Sequence, residues 1–154
     1  MRADEEAIRE LTLPWVLRGL EELRGARRML ADRPDFEAWM VTFHIEQAVE
    51  KLLKAALVYE QVRPPRTHDL ADIRRLIPAG WRVAEIESAW LSDFAVAGRY
   101  PAGAWNEGIP EPTWDDALRA LDLAETVAVA LRLDLVARGF AKRDVDKGAE
   151  SDGP

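Results

Sequence analysis

A chain of 154 residues, 48% hydrophobic and richer in Ala and Leu than in Ile and Val, suits one domain with a real core and favours helix over sheet. It has no cysteine, which excludes disulfides, zinc–thiolate sites and cysteine nucleophiles. A net charge of −7 argues against non-specific nucleic-acid binding, although residues 61–82 hold five arginines against Asp69 and Asp72, a +3 window on a body that otherwise carries −10.

The charged opening MRADEEAIRE is unlike a signal peptide, and residues 1–11 suit a short first helix. Thr12 is placed to cap the next helix, with Pro14 in its first turn, where a missing N–H costs little. Val16, Leu20, Leu23, Ala26 and Leu30 then form a helical stripe that ADRPD ends. A second helix is predicted from Asp35 to Gln61, with Ile45, Val49, Leu52, Ala56 and Tyr59 as its apolar stripe and RPPR as its stop. Thr67 is placed to cap a short helix, HDLADIRRLI, and a further helix is expected over 82–97. Residues 98–112, with three glycines and three prolines, read as a long loop. Thr113 and Asp116 form a capping box for the last long helix, whose buried face is expected to be Trp114, Leu118, Leu121, Ala124, Ala128, Leu131 and Leu135. Its apolar run is broken by Asp122, Glu125, Arg132 and Asp134, so no segment is suited to span a bilayer. The expectation is an all-α chain: an antiparallel up-and-down four-helix bundle with an additional short helix over residues 1–139, then a polar, disordered tail over 140–154.

The stretch FHIEQAVEKLLKAALV carries one ordered polar stripe. His44, Gln47, Lys51 and Lys54 recur at helical spacing, with Glu50 beside them as the i, i+4 partner of Lys54. Spacing alone suits a solvated face. The chain lacks an H-E-x-x-H pair, a G-x-x-x-x-G-K-[ST] loop, a G-x-G-x-x-G turn and a G-x-S-x-G elbow. No metal and no cofactor is expected. Arg63 precedes His68 by five residues, a pair usable for metal-independent RNA cleavage, the imidazole moving a 2′-OH proton and the guanidinium steadying the phosphorane. With 17 arginines such spacing arises easily, and a packed helix-start histidine is the plainer reading of His68.

Three blocks in order resemble the HEPN family, the higher-eukaryote and prokaryote nucleotide-binding domain. Phe43, His44, Gln47, Ala48, Glu50, Lys51, Leu53, Lys54 and Ala55 match its first motif. Thr67-His68-Asp69-Leu70 matches the second and Arg99-Tyr100-Pro101 the third. Glu46 replaces the first glutamine of the family's pair. Ribonuclease members of the wider family carry a histidine after the late arginine, and none follows Arg99 here.

The resemblance implies a helical bundle, often a homodimer, of the small prokaryotic kind that acts beside a minimal nucleotidyltransferase in toxin–antitoxin-like pairs. It implies a nucleotide or related anion in a groove lined by Gln47, Glu50, Lys51, Lys54, His68 and Arg99, with Tyr100 as a wall. A cytoplasmic protein without assured enzymatic activity is expected. The alternatives are a ribonuclease toxin using Arg63 and His68, which would act on RNA, and a protein-docking module with no small-molecule ligand.

Overall fold

Pro14 does not open a helix but sits inside one. In the computed structural model of the chain, residues 3–101, 103 and 108–147 are described, and the two expected N-terminal helices form one rod, α1, Ala3–Ala31. Thr12 is buried and its hydroxyl donates to the Ile8 carbonyl at 2.7 Å, so it satisfies itself along the helix instead of capping one. Proline leaves the Glu10 carbonyl without its helical donor, but Glu10 and Pro14 are both exposed and water can serve there. The burial of Val16, Leu20, Leu23 and Ala26 outweighs the proline penalty.

A 3-10 turn at Arg33–Asp35 occupies the expected start of the second helix, and α2 runs Ala38–Tyr59. Its end is a Schellman turn built on a residue other than glycine. Gln61 has φ 59°, Val62 N donates to Leu57 O at 2.8 Å and Gln61 N to Val58 O at 3.0 Å. Helix α3, Leu70–Arg75, is capped by Asp69, whose carboxylate accepts from the N–H groups of Ala71 and Asp72. Thr67 supports that cap by accepting from Asp69 N.

The single helix expected over 82–97 is three pieces: α4, Arg82–Glu85; a 3-10 turn, Ala89–Leu91; and α5, Ser92–Arg99. Tertiary contacts make the break. The extended Ile86 gives its carbonyl to Arg74, and buried Asp134 holds the start of α4 by accepting from Arg82 Nη1 at 3.0 Å and Val83 N at 3.3 Å.

Thr113 and Asp116 form the expected capping box at the start of α6, Trp114–Ala137. The buried face is turned from the expected one: Ala117, Ala120, Ala124, Val127, Leu131 and Leu135 are inside and Leu118 is outside. A second Schellman turn ends α6 at Gly139, φ 88°, and buries Phe140. The segment expected to be disordered from residue 140 therefore begins with a packed helix, α7, Lys142–Asp146, whose Val145 is buried; residues 148–154 lie outside the described ones.

Among the described residues the chain is all-α, with no strand. Helix α2 is the central element, packed against α1, α6, α5 and α3. Arg27 meets Glu125 and Arg9 meets the Arg138 carbonyl, so α1 and α6 run in opposite directions. No described helix is long and apolar enough to cross a membrane.

Candidate functional site

The site begins with a glycine. A Cβ on Gly98 would lie 2.2 Å from Phe43 Cδ2, so only glycine lets α5 press this closely on α2. The close approach sets the next residue, Arg99, with its guanidinium over the Phe43 ring at 5.4 Å from the centroid. Arg99 Nη1 donates to the Ala95 carbonyl at 2.8 Å, and Nη2 lies 3.2 Å from His68 Nε2. On its other edge, His68 Nδ1 is 2.7 Å from Glu50 Oε2. Lys54 Nζ donates to Glu50 Oε1 at 2.5 Å and to the Thr67 carbonyl at 3.1 Å. Arg99, His68, Glu50, Lys54 and Thr67 thus form one unbroken chain, which suits an imidazole with its proton on Nδ1 and a lone pair on Nε2. Glu50 and Lys54 are both buried, and each compensates the other's charge where water cannot.

Behind this chain lies a second network. Gln47 Nε2 donates to Glu46 Oε2 at 2.8 Å and lies 3.5 Å from Glu50 Oε2, while its Oε1 accepts from Lys51 Nζ at 3.4 Å. Glu46 is fully buried, and Oε1 has no partner among the described residues. Desolvation pushes its carboxyl up to about 8; neighbouring Glu50 adds to the rise, and Gln47, Arg99 and Lys51 oppose it. Lys51 Nζ pairs with Glu22 Oε1 at 3.0 Å, and Glu22 Oε2 meets His44 Nδ1 at 2.6 Å. Burial raises the Glu22 carboxyl, but the hydrogen bonds from His44 and Lys51 outweigh it and hold the group below its ordinary value.

The residues singled out in the sequence divide into three places. His68, Arg99 and Tyr100 line an open cleft of about 430 Å³ together with Thr67, Asp69 and Ser92. Glu50 and Lys54 stand behind its wall and hold His68 and the Thr67 carbonyl, while Gln47 lies deeper, within reach of Glu50. Lys51 borders a separate hollow with Pro14, Trp15 and Arg18, so the expected groove does not run continuously along α2. Arg63 makes no hydrogen bond or ion pair among the described residues; the guanidinium at His68 belongs to Arg99, 31 positions later. Three residues not expected at the site belong to it or border it: Phe43 and Glu46, noted only as a motif match and a motif departure, and Ser92. Glu46 left a signal, a carboxylate at the family's glutamine position on an otherwise buried helix. Ser92, whose Oγ accepts from Leu70 N at 3.0 Å, left none. No group of three or more His, Asp or Glu residues among the described ones is placed to hold a metal ion.

Chemically, the cleft offers a guanidinium and an imidazole side by side, both open to solvent and both braced from behind. The guanidinium can receive a phosphate-type anion through charge-assisted hydrogen bonds, and an imidazole held by a carboxylate on Nδ1 can accept a proton on Nε2. In comparison with known sequences, the model of the family described as the HEPN domain matches residues 13–133. No curated protein and no solved structure matches the chain.

Proposed function

The chain belongs to the HEPN domain family, and from that premise we propose that it binds a nucleotide-type anion in the cleft between α5 and the start of α3. Family membership supports a helical nucleotide- or RNA-related module. The observation that carries the finer reading is the 3.2 Å approach of Arg99 Nη2 to His68 Nε2 at the cleft, with Glu50 and Lys54 buried behind it. A guanidinium exposed at a cleft and braced by an imidazole offers the charged N–H donors that a phosphate needs. Thermal stabilisation by AMP, ADP or ATP tests this. Saturating ligand adds stability in proportion to the logarithm of its excess over Kd. Arg99→Ala is expected to abolish the shift, and a flat response to all three nucleotides in the wild-type protein would refute the reading.

We read α3, α4 and α5 as the composite fourth wall of an up-and-down bundle. We also read the protein as a cytoplasmic homodimer working beside a nucleotidyltransferase in a toxin–antitoxin-like pair, on the strength of the three sequence blocks. Co-purification with the product of an adjacent nucleotidyltransferase gene supports the pairing, and separate elution counts against it. The pairing of His68 with Arg99 favours one second reading, a metal-independent ribonuclease that uses these two residues in place of Arg63 and His68. RNA cleavage by the purified protein that His68→Ala removes would establish it.

A further inference from the structure

Glu46 is a buried carboxyl for which the ligand-binding reading has no task. It lies on α2 one turn after Phe43, the ring on which Arg99 rests. A single amide, Gln47 Nε2, bridges it to Glu50, at 2.8 Å on one side and 3.5 Å on the other, while Glu46 Oε1 meets nothing among the described residues. Two carboxyl groups sharing one donor in a dry interface repel, and one does better neutral. Glu50 has Lys54 and His68 to hold its charge; Glu46 touches no cation, so it is the one that keeps a proton.

The charged groups around Glu46 are Glu50 and Lys51 on its own helix and Arg99 from α5. Beyond these lie Glu22 of α1, through Lys51, and His68 ahead of α3, through Glu50. Helix α6 buries Ala117, Ala120 and Ala124, and α3 buries Leu70 and Ile73. Arg99 is thus tied to both: it faces the cleft, rests on Phe43 one turn before Glu46, and bonds to His68, which meets Glu50, the carboxylate that shares the Gln47 amide with Glu46.

We propose that Glu46 links anion binding in the cleft to proton binding. With its proton on, Glu46 leaves the Arg99 charge to the anion; with its proton off, its own charge competes for that guanidinium. By reciprocity, an anion on Arg99 draws a proton from solvent onto Glu46. The inference rests on the anion-binding reading above and adds its regulation.

The test is the affinity of wild-type protein and Glu46→Gln for inorganic phosphate and for AMP, by calorimetry at about pH 6.5 and about pH 9.5, either side of the Glu46 transition. Gln is a neutral isostere, so the two proteins are expected to bind alike at the lower pH. At the higher pH the wild type is expected to bind about three- to tenfold more weakly than the variant, the effect of one added charge near Arg99. A purely structural role predicts a ratio that does not change with pH, and that result overturns the linkage while leaving the binding site in place. Failure of the wild type to bind either probe at both pH values removes both. A measurement on unaltered protein decides the matter independently of the variant: the carboxyl ¹³C titration of Glu46 is expected to move to higher pH with saturating phosphate, and an unmoved midpoint overturns the proposal.

Discussion

Glu46 and Glu22 lie on the same helical pair yet have opposite effects on stability as pH changes. Glu46 is buried without a cation in contact, and its folded-state value of about 8 stands above the ordinary 4.5. Below about 4.5 it is protonated in both folded and unfolded chains and contributes no pH dependence. As pH rises towards 8 the unfolded chain releases a proton that the folded one keeps, and stability falls by up to about 1.4 kcal/mol per pH unit. Glu46→Gln is expected to remove that slope. Urea denaturation should show the variant's advantage over wild type growing between about pH 5 and about pH 8 and then levelling; an advantage constant with pH would contradict a protonated Glu46. Glu22 has the reverse sign. Its depressed value makes its ion pairs with Lys51 and His44 stabilising above the ordinary carboxylate range, and that stability is lost as pH falls through the lowered value. None of this follows from residue type. Both are glutamates on amphipathic helices, and only the partners brought by folding distinguish them.

Helix boundaries show where local rules hold and where they yield. The Thr113–Asp116 box needs only four consecutive residues, and it forms as read. The N-terminal pair of helices merged because the apolar stripe of α1 continues past Pro14 and its burial exceeds the cost of one missing hydrogen bond. The helix expected over 82–97 is interrupted at the extended Ile86, whose carbonyl is taken by Arg74, while Asp134, some 50 positions later, serves the otherwise unpaired first-turn N–H of Val83. Two substitutions test these ends. Gln61→Gly relieves a left-handed residue at the C-terminus of α2 and is expected to stabilise by about 0.5–1 kcal/mol, because glycine's extra freedom in the unfolded chain offsets part of the gain. Gly98→Ala is expected to destabilise by about 1–3 kcal/mol, since its methyl group meets the base of the Phe43 ring instead of a movable side-chain end. It should also weaken nucleotide binding by displacing Arg99. A Gly98→Ala protein with unchanged midpoint and unchanged binding would show that the α2–α5 contact is not what positions the cleft.

Across the whole molecule, α2 is the frame. One side meets α1 and α6 through an apolar core, and the other presents Phe43 to α5 and Glu50 and Lys54 to the segment before α3. Stability also reaches past the expected domain end. Phe140 and Val145 join the core, and Arg132 pairs with Asp146 across the α6–α7 turn. Ending the chain after Gly139 is expected to cost about 3–6 kcal/mol from the lost burial of those two side chains, read as a lower denaturant midpoint. An unchanged midpoint would return residues 140–147 to the status of a dispensable tail.

The helical class, the three motif blocks and the polar stripe on α2 could all be read from the chain alone, because each depends on composition or on spacing within a few turns. The sequence also marked His68 and Arg99 as members of one site, through resemblance to a family. Other features needed the folded molecule. Which guanidinium serves His68 was decided by Gly98 admitting α5 onto Phe43, a contact between residues 55 positions apart. Which residues of the stripe face the cleft was decided by the rotation of α2 between α1 and α5, which sends Lys51 to Glu22 and turns Glu50 and Lys54 inward. The carboxylate of Glu46 at the family's glutamine position was visible in the chain, but its protonation was decided by desolvation, which depends on every neighbour at once.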